Sequence, residues 1–208
     1  MPSSQTLQEV LVRTLEILHG VEVFPFFGTL LGLVRTGAPI DKDDDVDLYA
    51  DVRDYREVLN VLSASNEVII YRTGRRATYV QFSLDEFPDV PIDIYFFRRR
   101  AKHIVDKWNF AGLPGLPLSW LIVPAGMVFP LKKVFFPLMG INVMLPSRSD
   151  AVCAYLYGSG WTAPKLKGVD YKTLVVLGAP VNLQGLMARA MGKLSEKIRR
   201  NQKRPPSH

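Results

Sequence analysis

Residues 26–50 read FFGTLLGLVRTGAPIDKDDDVDLYA, and the reading of this stretch decides the fold. The apolar run Val21 to Phe27 predicts a buried strand, and the Gly28-Thr29 pair lies at its end. Leu30 to Arg35 predicts one or two helical turns, with Gly37 and Pro39 as stop signals. Asp45-Val46-Asp47-Leu48-Tyr49 alternates strictly, which predicts a second strand. Side chains two apart on a strand share a face, so Asp45 and Asp47 point one way while Val46 and Leu48 enter a core. Two carboxylates on one face, roughly 7 Å apart along the backbone, can converge on one metal ion. The Gly-Thr pair at a helix start offers N–H groups and a hydroxyl to a phosphate. A phosphate cradle beside metal-binding carboxylates is the equipment of phosphoryl or nucleotidyl transfer.

Working outward, Thr6 and Glu9 form a capping-box pattern and Gly20 a stop, with Leu7, Val10, Leu11, Leu15 and Leu18 at helical spacing between them. Val52 to Ala64 predicts a second amphipathic helix. Glu67 to Tyr71 and Ala77 to Leu84 predict two strands joined by a turn at 73–76. A further turn over Asp85 to Asp89 leads into the strand Val90 to Phe97. Asp93 is the lone acid inside that apolar strand, and burying a charge costs several kcal/mol unless it is paired or bound to metal. A strand-end aspartate facing solvent is the plainer alternative. Arg98-Arg99-Arg100 closes the strand, as a solvated face or a phosphate contact, and Arg72, Arg75 and Arg76 share that ambiguity.

The string Gly28-Thr29-Leu30-Leu31-Gly32, then Arg35, Gly37 and Ile40, then Asp43-Asp44-Asp45-Val46-Asp47, resembles the LicD family. The segment Ile92-Asp93-Ile94-Tyr95-Phe96-Phe97 is similar to that family's third-carboxylate strand. A second block resembles it too: FPLKKVFF at 129–136, INVMLP at 141–146, then Tyr157-Gly158, Trp161 and Pro164. In the acidic loop the chain departs from the family, with Asp41-Lys42 where Pro-Trp is usual. The resemblance implies an α/β (α+β) nucleotidyltransferase-like fold, a small mixed sheet flanked by helices with a C-terminal helical part. It implies an Mg²⁺-dependent (or Mn²⁺-dependent) transfer of a phospho-alcohol, phosphocholine or a polyol phosphate, from a CDP-alcohol donor to a hydroxyl of a cell-surface glycan. Lipopolysaccharide or teichoic acid biosynthesis is the implied setting. Asp45, Asp47 and Asp93 would hold the metal, and Asp93 would also take the acceptor's proton. Gly28, Thr29 and Arg35 would bind the phosphate, and Asp43 would be an outer ligand or orienting group. Two alternatives stay open: a plain nucleotidyltransferase that moves a nucleoside monophosphate from an NTP, and a catalytically inactive binding module in glycan assembly.

Composition bounds the remainder. The chain has 208 residues, 48% of them hydrophobic, ample for one domain with appendages. The expected organisation is a catalytic core over 1–100, an apolar Pro/Gly-rich insertion over 101–128, a second block over 129–182, and a basic amphipathic helix with a disordered tail over 183–208. Trp108 to Leu131 carries no charge, but its prolines and glycines interrupt any membrane-spanning helix. Cys153 is the single cysteine, which excludes an intrachain disulfide and a cysteine-based zinc site and suits a reducing compartment. The start lacks signal-peptide features, so a cytoplasmic location is expected, with peripheral contact at the inner membrane surface as an option. Seven basic residues and one acidic residue between Arg189 and Arg204 account for the net charge of +6. That helix is expected either to dock on the domain or to touch an anionic membrane surface, and no nucleic-acid partner is expected. The acidic run fails as a calcium loop, since Val46 and Val52 stand where Gly and Glu are needed. Neither a P-loop nor a Rossmann glycine string occurs, and His19, His103 and His208 lie in no hydrolase motif.

Overall fold

A computed structural model describes residues 1–74, 76–107, 121–164, 173–176 and 179–182. The expected basic helix over 183–200 and the apolar stretch 108–120 lie outside the described residues. Helix α1 spans Ser4–Ile17 and starts earlier than the capping-box pattern predicts: Ser3 is the N-cap, its hydroxyl accepting from the Thr6 N–H. Leu7, Val10, Leu11 and Thr14 form its buried face, and it packs on β2 (Val46–Asp51) and β5 (Phe87–Arg100). Strand β1 is short, Val23–Pro25, and runs directly into α2, Phe27–Thr36, which Gly37 ends in a left-handed conformation.

The main sheet has strand order β1-β2-β5-β4-β3, with β3 at Val68–Thr73 and β4 at Tyr79–Leu84. On the far part of β5 it is extended by β6, His103–Asp106, which pairs with β7, Leu121–Pro124. Among the described residues only β2 and β5 run parallel; their crossover contains α3 (Tyr55–Ala64), β3 and β4. Strand β5 is longer than the sequence suggests: Asp85 and Glu86 make the whole turn, and Phe87 already pairs with Leu84. Arg98, Arg99 and Arg100 belong to this strand and pair with β6. Pro88 and Pro91 precede the part of β5 that pairs with β2, where a missing N–H would cost a ladder bond.

All six residues of β2 are buried, so the sheet is covered on both faces at this strand. On one face Val46, Leu48, Ile92 and Ile94 are fully buried, and Phe96 packs edge-on to Tyr55 of α3. On the other, Phe26 stacks on Tyr49 at 3.8 Å, with Phe24, Phe97 and Phe129 completing an aromatic cluster. Each such buried side chain contributes about 1.5–3 kcal/mol of transfer free energy.

The second block folds against this body. Residues Ala125–Val128 form α4, and the expected pair of short strands is a hairpin of β8, Lys132–Phe136, and β9, Ile141–Leu145. Helix α5 spans Ser149–Tyr157 and packs on α2. Its N-cap is Arg148, without a side-chain cap bond; the Ser149 hydroxyl donates instead to the Pro146 carbonyl at 2.7 Å. Strands β10 (Thr173–Val176) and β11 (Ala179–Asn182) pair with each other.

Candidate active site

Strand pairing brings the acids together. Asp47 of β2 lies directly opposite Asp93 of β5 in the parallel ladder, so their side chains share one face. Asp45 stands one residue before β2 rather than within it, yet it reaches the same point. Carboxylate oxygens of Asp45, Asp47 and Asp93 all lie within 4.8 Å of one another, and Asp43, Asp44 and Asp45 form an adjoining group of the same tightness. Asp47 and Asp93 are each only 8% exposed.

The N-terminus of α2 fits against this cluster. Phe27 takes φ +43, a left-handed conformation costly for a bulky residue, and its ring is held edge-on to Tyr49 and Tyr95. The Gly28 N–H then donates to Asp47 Oδ2 at 3.2 Å. A Cβ at Gly28 would sit 2.7 Å from Asp43 Oδ2, so a side chain there would push the Asp43 carboxylate aside, whereas its 3.6 Å to Asp47 Oδ2 would be an ordinary contact. The buried Thr29 hydroxyl accepts the Asp47 N–H at 2.9 Å and so fastens the helix start to β2. Arg35, at the other end of α2, donates through Nε to the Trp161 carbonyl at 2.6 Å and through Nη2 to that of Ala163 at 3.1 Å. It thereby ties the family-like Trp161 segment to the first block.

Electrostatics follow from the crowding. Burial pushes the Asp47 carboxyl well above the usual carboxylate range, the charges of Asp45, Asp93 and Asp43 push it further, and the Gly28 N–H opposes them. Burial also raises Asp93, against the pull of the Tyr95 hydroxyl, Gln81 and the Arg72 charge. The Tyr95 hydroxyl donates to Asp93 Oδ2 at 3.1 Å, whereas the buried Asp93 Oδ1 has no hydrogen-bond partner among the described residues. Tyr157 of α5 is buried close enough to feel Asp47 and Asp43; burial first, then those charges, raise its phenol. A buried acceptor left unbonded, among carboxylates that repel one another, is the setting a hard divalent cation satisfies. The donors are all oxygen, which fits Mg²⁺ or Mn²⁺ and not a thiol-seeking metal.

That Tyr95, Gln81, Arg72 and Tyr157 surround these acids escapes a reading of the sequence, which left Arg72 an undecided charge and Tyr157 a motif residue, because their places follow from register and from the packing of α5. One signal was available: Tyr95 is two residues from Asp93 and so shares its face. Arg99, by contrast, serves the framework: its Nε forms an ion pair with Asp51 Oδ2 at 3.1 Å and its guanidinium lies 3.9 Å over the Phe129 ring.

The chain is similar to the ribitol-5-phosphate transferase FKTN of Mus musculus, at 25% identity over 185 residues. That match covers 87% of this chain and 36% of the mouse protein, so the chain spans about a third of that relative's length. Among solved structures it is similar to the lincosamide antibiotic adenylyltransferase LnuA in its lincomycin-bound form, with a TM-score of 0.50 and 12% identity. The superposition covers 79% of this chain and 93% of that one, and it shows a shared nucleotidyltransferase fold. Residues 20–148, more than half of the chain and including every acid of the cluster, match the family described as LicD/FKTN/FKRP, nucleotidyltransferase domain, and the chain belongs to that family.

Proposed function

We propose that this chain is a phosphotransferase that moves a phospho-alcohol, of the ribitol phosphate or phosphocholine class, from a CDP-activated donor to a glycan hydroxyl. The observation that carries the reading is the meeting of Asp45, Asp47 and Asp93 within 4.8 Å at the N-terminus of α2, in a chain of this family. A divalent cation held by these three carboxylates would neutralise charge that develops on the donor's phosphates. Gly28 and Thr29 are tied to Asp47 rather than free for a ligand. They would act by fixing the start of α2 beside the carboxylates, where the donor phosphate would lie with Asp43 flanking it. Asp93, whose Oδ1 is uncommitted among the described residues, accepts the proton of the attacking hydroxyl. The acceptor oxygen bonds to the phosphorus nearer the alcohol, the phosphorus–oxygen bond to CMP breaks, and CMP leaves. Arg35, expected from the resemblance to bind phosphate, lies in the last turn of α2 and holds the Trp161 and Ala163 carbonyls, so its role in this reading is to position that segment.

The test supplies CDP-ribitol or CDP-choline with Mg²⁺ and a hydroxylated glycan, and follows CMP together with the mass of the acceptor. CMP release with alcohol phosphate on the glycan is the expected result, and Asp93→Asn lowers it by about 10² or more with little change in donor binding. Pyrophosphate from NTPs, with no turnover of any CDP-alcohol, would replace this reading by nucleotidyl transfer.

A further inference from the structure

The polar line across the sheet does not stop at Asp93. In register, Asp47 pairs with Asp93, Asp93 with Gln81 of β4, and Gln81 with Arg72 of the edge strand β3. The register shift between Ile70 and Arg72 sets Arg72 opposite Gln81, on the carboxylate face. Adjacent strands lie about 4.8 Å apart, so the Arg72 backbone stands about 10 Å from that of Asp93, within reach of a long side chain. Register alone puts Arg72 in line with Gln81 and Asp93, so its side chain can extend along this row. Arg72 is exposed, and no hydrogen bond or ion pair holds it among the described residues.

The row has a direction. The α2 N-terminus continues β1, on the side of Asp47 away from β5. From one edge to the other the order is therefore helix N-terminus, Asp47, Asp93, Gln81, Arg72. Given the reaction above, on which this inference rests, the donor's phosphate lies at the helix end and the acceptor hydroxyl at Asp93. Whatever carries that hydroxyl extends over Gln81 and Arg72. Tyr71, 49% exposed beside Arg72 with its hydroxyl fixed to the Phe82 carbonyl at 3.1 Å, adds a ring edge against which a sugar or polyol can rest.

We propose that Arg72 and Gln81 form an anion subsite on the acceptor side, selecting an acceptor with a phosphate or carboxylate group near its reacting hydroxyl. A guanidinium offers paired donors to such a group, and Gln81 supplies an amide between it and the proton acceptor. Arg72 is a positioning and specificity residue, not a participant in bond exchange.

Calorimetric titration with Mg²⁺ present tests this with three probes: ribitol 5-phosphate, ribitol and CDP. The wild-type chain is expected to bind ribitol 5-phosphate about tenfold or more tightly than ribitol, and Arg72→Met is expected to remove that preference. Arg72→Lys, which keeps the charge but loses the fork, is expected to retain part of it. CDP affinity is expected to be unchanged in both variants. No preference for the phosphate ester in the wild-type chain would overturn the subsite. So would an Arg72→Met variant that loses CDP affinity and keeps the preference, since the guanidinium would then serve the donor. Failure of the wild-type chain to bind CDP would count against the transferase reading alone, because the preference for the phosphate ester is measured without a donor.

Discussion

Replacement of Asp47 by Asn separates the metal role of the cluster from its structural role. Asparagine is nearly isosteric, and its carbonyl can still accept the Gly28 N–H. What it removes is one charge from a set of carboxylates whose oxygens approach within 4.8 Å. At 4.8 Å and an effective dielectric of about 20, one pair of like charges repels by about 3.5 kcal/mol. Proton uptake limits what the fold bears, at about 1.4 kcal/mol for each pH unit by which a carboxyl stays protonated above its ordinary range. The sign follows from the raised Asp47 carboxyl: the native state holds a proton that the unfolded chain has already released. Without a divalent cation, stability is therefore highest below the unfolded carboxylate pKa and falls as pH rises through the native one. Asp47→Asn removes that fall. In EDTA at pH 8 it is expected to be more stable than wild type by about 2 kcal/mol, a shift in Tm of about 4–8 °C for a chain of this size. Near pH 4 the difference vanishes. Mg²⁺ is expected to restore the wild-type protein, by about 2.7 kcal/mol at a hundredfold excess over Kd, and to leave the variant unmoved. Thermal unfolding followed by circular dichroism, in EDTA at pH 8 and near pH 4 and with Mg²⁺ at pH 8, reads these differences. A variant no more stable than wild type in EDTA at pH 8, or a wild-type Tm indifferent to Mg²⁺ and Mn²⁺, would refute the reasoning.

Three further substitutions or reagents probe the surroundings. Gly28→Ala sets a methyl group 2.7 Å from Asp43 Oδ2; since a side-chain end can move aside, stability should change by less than about 1 kcal/mol while Mn²⁺ affinity, read by paramagnetic resonance, falls. Thr29→Val keeps the shape but leaves the Asp47 N–H without its buried acceptor, so urea unfolding should show a loss of about 1–3 kcal/mol that Thr29→Ser does not. Burial pushes the Cys153 thiol up to about 12, so a thiol-specific colorimetric reagent at pH 8 should label it only after denaturant is added.

The chemistry of this site was legible where one residue's neighbours along the chain decide its place. The alternation around Asp47 put it on a strand, and Asp93 was exposed as an anomaly by the apolar residues on either side. The start of α1 was misread because Ser3 and Thr6 both suit an N-cap, and the chosen register of the first turn is a matter of a single hydrogen bond. The length of β5 was hidden by Pro88 and Pro91, which signal a turn in isolation but lie before the ladder with β2 begins. Arg99 could not be told from a solvated charge, because its partners Asp51, Glu22 and Phe129 are all distant in sequence. Arg72 could be named only as a solvated charge or a phosphate contact, and Gln81 not at all, for the same reason: no pattern along β3 or β4 says which residue of β5 they will face.

That register is fixed by apolar packing, far more strongly than by the charges it aligns. Ile92 and Ile94 are fully buried and Phe96 nearly so, on the face opposite Asp93. A slip of β5 by one residue against β2 would drive these three side chains toward the carboxylate face and turn Asp93 into the core. Losing the burial of three such side chains costs about 4.5–9 kcal/mol, comparable to the whole stability of a domain. The repulsion between Asp47 and Asp93 cannot relieve itself at that cost. The sheet thus holds the acids in contact, and a bound cation or a proton is the cheaper way to satisfy them.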